Sequence, residues 1–459
     1  MGTGRGITGS TSRRWLLGAA APALFGAAAC AQSGAGGAGG GAGARPGALK
    51  TDVTVGFLQT SGQAEQDLVN QVVARWKQAH PNGPQAEFIL SPGDVVEKYT
   101  GMAAAGAPPA LVSMSGTQSV GRSDRGDFAP LDDLVKRDRY DLTDYIPTSL
   151  DQYRWKGKLY GLLRDFSHQS LWINLDFFEQ AGLPPPTGDY GSAAGGWDFG
   201  RFVDAAVRLT RRESGVNRAT PYGFAFNTTP VGGWSQFVFA NGAEVFDKDF
   251  KRCLLADERA VEGLQLFQDL IYRHRAAPDT AALAELRGAG VNTGSQQLFF
   301  ENQAAMAFFP VARIGEARRQ AKGRWDLVVA PQGKGKRTTT GGGVGWFLSR
   351  GYANQEEAWA LLQHLTSAET HTLLADVRIP GRRSVLDAWL ALSPAEAPKS
   401  RAVARTGQEA LHISPIFPLA DQIDQEAFAP QVTRLVENKA TAGEIAREMA
   451  AQANRILGA

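Results

Sequence analysis

Two cysteines in 459 residues, Cys30 and Cys253, are too few for a disulfide framework. With Cys30 close to the N-terminus, the folded part keeps one thiol and must hold together without a crosslink. Cys253 sits in an apolar setting, Arg252-Cys253-Leu254-Leu255, where a lone thiol reads as a small core residue rather than a nucleophile. Metal patterns are missing as well. The six histidines, at 80, 168, 274, 364, 371 and 412, include no pair four apart, the spacing a helical zinc pair needs. Neither a phosphate-cradling loop nor a nucleophile elbow occurs. No metal, no cofactor and no catalytic residue is therefore nominated. An excess of one charge is also lacking: 48 basic residues stand against 46 acidic ones, for a net charge of +2. Removing residues 1–29, which carry Arg5, Arg13 and Arg14 and no acid, takes it to −1. So even a balance argues against nucleic acid as the natural partner. Finally, the longest apolar run, Trp15 to Ala29, is interrupted by Gly18, Pro22 and Gly26. It falls short of the roughly 20 residues that cross a bilayer.

What is present is ample for folding: 43% hydrophobic and 20% charged residues supply two or three ordinary cores. The first thirty residues stand apart. In SRRWLLGAAAPALFGAAAC, residues 12–30, paired arginines precede an apolar stretch and small residues lead to Cys30. Such a run is an export signal. It resembles a bacterial twin-arginine signal joined to a lipoprotein cleavage site, with Ala27 where such sites usually carry Leu. The expectation is removal of residues 1–29, lipid on Cys30, and a protein held at the outer face of the cytoplasmic membrane or in the periplasm. A plain secretory peptide with an incidental Cys30 is the alternative. Residues 30–50 read as a tether, since AQSGAGGAGGGAGARPGA can bury almost nothing and as a coil reaches roughly 25 Å. Gly34, Gly36 and Gly39 in it have dinucleotide-loop spacing, but no strand precedes them and no helix follows.

From Thr51 onward, short β-rich runs alternate with helical stretches, the mark of an α/β layered fold. Val53–Leu58, Glu87–Leu90 and Leu111–Met114 read as strands. Between them lie a helix with Leu68, Val69, Val72, Val73 and Trp76 on one face, stopped at His80-Pro81, and one containing Val95, Val96 and Tyr99. In residues 155–178, two strand-like runs flank a polar loop, and the chain is expected to cross there between domains. Asp198 is a candidate helix cap, and Asp257 to about His274 is a well-patterned helix. Strands are expected at Ala305–Phe309, Trp325–Ala330 and Val344–Leu348, a helix around Leu361, Leu362 and Leu365, and a capping box at Thr441–Glu444. Arg125-Gly126-Asp127 reads as a charged turn.

Several segments, in order, resemble the family 1 extracellular solute-binding proteins of ABC importers, the maltose-binding-protein-like group. They include AAAGAPPALVSM (103–114), FAPLDDLV (128–135), WKGKLYGLL (155–163), LWINLDFFEQAGLPPP (171–186), GWDFGRFVDAA (196–206), FENQAAMAFF (300–309), WDLVVAPQGKGKRTTTGGGVGWFLS (325–349) and NQEEAWALLQHLTSAE (354–369). The resemblance implies two α/β lobes joined by crossing strands, residues 51–162 with 330–378 and residues 163–328 with 379–459. It implies a monomer that closes on a small polar solute, carbohydrate first, and docks on ABC permease subunits without chemistry. An exported carbohydrate-active enzyme, or the same binding role for a solute such as glycerol phosphate, is the alternative.

A sugar site needs polar groups matched to hydroxyls and a flat aromatic face. The resemblance places the candidates in loops at the lobe junction: Gln59, Thr60 and Ser61 after the first strand, and Ser115, Thr117 and Gln118 after the third. Asp165, an acceptor for two hydroxyls, and His168 follow at the crossing. Trp234 and Trp346 are the candidate stacking platforms, Gly343 in the 341–345 glycine run allows close backbone approach, and Arg313 is a candidate donor. Trp155, Trp172, Trp197, Trp325 and Trp359 are expected in cores. Met114 and Ala312 stand where maltose-type members carry aromatics, and Ile173 replaces a family Tyr, so the solute itself is left open.

Overall fold

Val55, Phe57 and Leu58 are fully buried in the first strand, β1 (Thr54–Gln59), which lies between two parallel neighbours, β2 (Gln85–Leu90) and β3 (Leu111–Ser115). The structure is a computed structural model that describes residues 48–186, 197–212, 219–375, 377–391, 397–413 and 415–458. The export segment, Cys30 and nearly all of the tether lie outside them. Two helices make the parallel crossovers. Gln63–Ala79 buries Val69, Val72 and Trp76 and is capped at His80. Val95–Ala104 starts at Asp94, whose carboxylate accepts the Val96 and Glu97 N–H groups.

A hairpin, β4 (Arg154–Trp155) and β5 (Lys158–Leu159), leads into β6 (Gly161–Asn174). β7 (Met306–Pro310), β8 (Trp325–Val328), β9 (Thr339–Leu348) and β10 (Leu411–Ile413) complete the set. The main sheet runs β2-β1-β3-β9-β6-β7, with β10 on β9 and β8 on β6.

β6 corrects the sequence reading of two runs around a polar loop. It is one fourteen-residue strand with a register shift between Leu163 and Asp165. Up to His168 it pairs with β9; from Gln169 it pairs with β7, and from Leu171 with β8 too. Its apolar residues change cores at the same place. Leu162, Leu163 and Phe166 join a core with β1, β3, Trp346–Leu348 and the helix Gln355–Leu365. Leu171 and Ile173 face a second core, built on the helices Glu258–Tyr272 and Ala442–Leu457. Trp172, on the opposite face, stacks on Phe309 at 4.2 Å in a third. The last helix carries the expected capping box, Thr441 with Glu444. Cys253 is buried in the second core, and burial pushes its thiol up to about 11.

The polar stretch of β6 stays buried because its charges answer one another. Arg164 donates to Asp165 at 2.6 Å and to Gln59 Oε1 at 3.3 Å. Arg378, from the returning segment bridged to Phe166 through Ile379, pairs with Glu65, donates to Gln59 Oε1 at 3.0 Å and lies 3.8 Å from Asp165. Two guanidiniums thus face two carboxylates inside the protein. Burial would raise the Glu65 carboxyl, but Arg378 and then Arg164 outweigh it and hold the group below its usual value.

Two sequence candidates are core residues here. Trp346 is 1% exposed and meets Phe57 edge-on at 5.7 Å, so it offers no face for stacking. His168 is likewise 1% exposed and donates from Nε2 to the Ala404 carbonyl at 3.1 Å. Gly407 covers its ring so closely that a Cβ there would lie 2.0 Å from Cε1. Of the tryptophans expected in cores, Trp172, Trp325 and Trp359 are buried, whereas Trp155 and Trp197 are half-buried.

Asp165→Asn leaves two buried guanidiniums against one carboxylate, so urea unfolding should show a loss on the order of 3 kcal/mol. An unchanged midpoint would contradict the network's role. His168 is pushed down to about 4, by burial above all. The unfolded chain therefore takes up its proton near 6.5 while the folded one does not. The stability that depends on neutral His168 is complete above pH 6.5 and drains as pH falls towards 4. Between pH 6.5 and 5, wild type should lose more stability than His168→Gln; parallel curves would refute this.

Candidate ligand-binding groove

Where β6 changes partners, a cavity of about 270 Å³ opens over the two crossing strands. Its floor is Gly341, Gly342 and Gly343 of β9; its walls include Ser115, Thr117 and Gln152 on one side and Gln169, Val231 and Pro310 on the other. Through Thr117 and Val231 it adjoins a second cavity of about 180 Å³, walled by Trp234, Phe239, Phe246, Asp421, Asp424 and Phe428. Taken together they fall within the usual scale of small-molecule sites, ~300–1,000 Å³.

Local structure places each wall. Ser115 caps the helix Gly116–Arg125 in a capping box with Gln118, and its hydroxyl lies 3.0 Å from that of Thr117. These three residues thus serve the helix start, while Ser115 and Thr117 also border the groove. Gly343 donates its N–H to Gln152 Oε1 at 2.9 Å. A Cβ on Gly343 would lie 2.3 Å from Leu163 and 2.6 Å from the Asp165 carbonyl oxygen, so packing already requires glycine there.

The fully buried helix Trp234–Ala240 is clamped to the start of β9. Gln236 Oε1 accepts from the Thr340 N–H at 2.9 Å, and its amide donates to the Thr338 carbonyl at 2.7 Å. Trp234 is therefore fixed relative to the floor. It lines the smaller cavity but is 1% exposed and edge-on to Phe428, which corrects the expectation of a flat stacking face. What it does present is an indole N–H with no hydrogen-bond partner.

Most of the remaining candidates lie away from the groove. Gln59 is fully buried and spent on Arg164, Arg378 and Ser61, so it and Ser61 support the charge network. Asp165 borders the groove, but its carboxylate is engaged by Arg164. Arg313 is exposed, pairs with Glu316 at 3.4 Å and borders a different cavity of about 610 Å³ with Glu65 and Arg319.

Sequence reasoning missed Gln152, Ser167, Gln169 and Asp424. Gln169 carries an unpartnered buried Oε1. Its signal was the polar stretch 164–169 inside an otherwise apolar segment. Asp424 opens a π-helical turn, Asp424–Phe428, and its Oδ1 is buried without a partner. Burial and then the charge of Asp421 push its carboxyl up to about 6. Nothing in its local sequence marks it. Among the described residues no cluster suited to a metal ion occurs, and no helix is long and apolar enough to cross a membrane.

Comparison with known proteins bears on this arrangement. A sequence model described as bacterial extracellular solute-binding protein matches residues 59–372. A putative binding protein of Brucella abortus is 24% identical over 297 residues, 63% of this chain. The match spans 66% of that relative, just under two thirds of its length. Among solved structures, an ABC substrate-binding protein of Listeria monocytogenes in complex with cycloalternan aligns with a TM-score of 0.77 at 18% identity, covering 89% of this chain and 100% of that one. The GacH receptor of Streptomyces glaucescens, solved unliganded and with acarbose, gives 0.73 at 18%, covering 88% and 98%. UgpB of Mycobacterium tuberculosis in complex with glycerophosphocholine gives 0.74 at 17%, also covering 88% and 98%. At these identities the structural likeness carries the two-lobe fold, and membership rests on the sequence match, which spans well over half of the 459 residues: this chain belongs to the bacterial extracellular solute-binding protein family.

Proposed function

We propose that the protein captures a sugar or oligosaccharide between its lobes and delivers it unmodified to an ABC permease, held meanwhile at the membrane by lipid on Cys30. The observation that carries this reading is a groove with a bare-backbone floor at the crossing strands and walls from both lobes, in which Ser115, Thr117, Gln152 and Gln169 stand among apolar residues. Thr117 of one lobe and Trp234 of the other border the same cavity, so a solute seated there touches both. Contacts available only in a closed form shift the open–closed equilibrium towards it. The moving bodies in this reading are residues 51–162 with 330–378 and residues 163–328 with 379–459. Structural neighbours that bind cycloalternan and acarbose support a carbohydrate as the first reading, and one that binds glycerophosphocholine supports a phosphodiester solute as the second.

Incubation of the purified protein with a glycan panel should give a stoichiometric complex from which the sugar is recovered intact. The bound form should have a smaller radius of gyration by small-angle scattering. Turnover of the sugar, or saturation without contraction, would count against the reading. Cys30→Ser should move the protein from the membrane fraction to the soluble exported fraction; an unchanged distribution would remove the lipid anchor.

A further inference from the structure

The smaller cavity combines unpartnered polar atoms with a one-sided acidic lining that a neutral sugar leaves unanswered. Its hydroxyl groups are engaged at home: Thr229 donates to the Val231 carbonyl at 3.1 Å, Ser235 donates to that of Pro230 at 2.7 Å, and the Thr117 hydroxyl lies 3.0 Å from that of Ser115. Two buried atoms have no partner. Trp234 Nε1 only donates, and Asp424 Oδ1, once ionised, only accepts. The first belongs to a side chain 1% exposed, so it has no access to bulk solvent. Such orphans are costly, and a ligand that satisfies them gains accordingly.

The charge of the lining is one-sided. Asp421 and Asp424 are its acids, and among the described residues that line it there is no Lys, Arg or His. Asp421 is exposed and also borders an adjoining cavity with Arg122 and Arg125. Asp424 is the more enclosed, and the charge acting on it is that of Asp421. The rest of the wall is aromatic or aliphatic: Phe239, Val245, Phe246 and Phe428. A carboxylate in an apolar, aromatic enclosure favours a cation, through a charge-assisted hydrogen bond and through the ring faces.

We propose that this cavity is an ammonium subsite that takes the protonated primary amine of an amino sugar, the amine donating to Asp424 and a hydroxyl oxygen of the sugar accepting from Trp234 Nε1. The orphan Oδ1 calls for a hydrogen-bond donor, which a primary ammonium supplies and a quaternary ammonium does not. The group responsible keeps its negative charge at pH 7.5, above the value of about 6 to which burial raises it. This inference rests on the reading of the groove as a carbohydrate site and names its substrate class.

The test is calorimetry at pH 7.5 on the purified protein with matched pairs: glucosamine and glucose, galactosamine and galactose, the glucosamine disaccharide from chitosan and cellobiose. Glycerophosphocholine forms a separate arm. At least one amine should bind ten-fold or more tightly than its neutral partner, and Asp424→Asn should bring that pair within about two-fold. Trp234→Phe, which keeps a ring and removes the N–H, should weaken both members of the pair, and thermal melts establish that each variant is folded. Equal or tighter binding of every neutral member would overturn the proposal. So would a preference that survives Asp424→Asn, or Asp424-dependent binding confined to glycerophosphocholine. Neutral sugars binding without any gain for amines leaves the carbohydrate reading standing and this one refuted. Failure of every sugar in a wider panel removes the carbohydrate reading, and this inference with it.

Discussion

Four charges at the crossing, Asp165 and Arg378 buried and Arg164 and Glu65 nearly so, govern how the rest of the fold is put together. Arg164 and Arg378 face Asp165 and Glu65, with Gln59 Oε1 accepting from both guanidiniums. With Gln59, the members come from four parts of the chain: Gln59 from the end of β1, Glu65 from the first turn of the helix after it, Arg164 and Asp165 from the bulge of β6, and Arg378 from the segment that returns after residue 375. A charge that deep is tolerable only when its partners are in place. The network therefore specifies the mutual positions of those four pieces more sharply than apolar packing would. The groove wall after β3 and the β9 floor, which pair with the strands so positioned, are held in register with it.

Much of the fold was legible because burial imposes a period. The helix with Val69, Val72 and Trp76, the strands around Val55 and Val112, and the capping box at Thr441 announce themselves in residues close in sequence. β6 did not. Arg164, Asp165, Ser167 and His168 carry the composition of a loop, and only partners more than 100 residues distant, such as Gln59, Ala404 and Arg378, make burial of a polar strand affordable. The same limit applies to the site. His168 and Trp346 had the right chemistry at the right junction, yet Gly407 and Phe57 enclose them. Asp424, nearly 200 residues from Trp234, reaches the same cavity from a helical turn that carries no local mark of function.

The groove and the crossing are one piece of construction. β6 gives its first half to one core and its second half to two others, and it changes allegiance between His168 and Gln169, where the groove lies. In the proposed reading, a solute held there rests on crossing backbone that β6 and β9 contribute together. Gln236, donating to the Thr338 carbonyl just before β9 and accepting from the Thr340 N–H within it, fixes the wall that carries Trp234 to that shared floor. Movement of one half relative to the other is thereby tied to the cavity's dimensions.

The floor itself has no side chains to vary, and at Gly341 and Gly343 no room for any. A methyl group on Gly343 would collide with Leu163, one on Gly345 with Tyr153, and one on Gly341 with the backbone of His168. Diversification towards a new cargo must then be written in the walls, in surface loops and the C-terminal turn, where a substitution leaves the crossing intact. One scaffold can in this way change its diet without renegotiating its architecture.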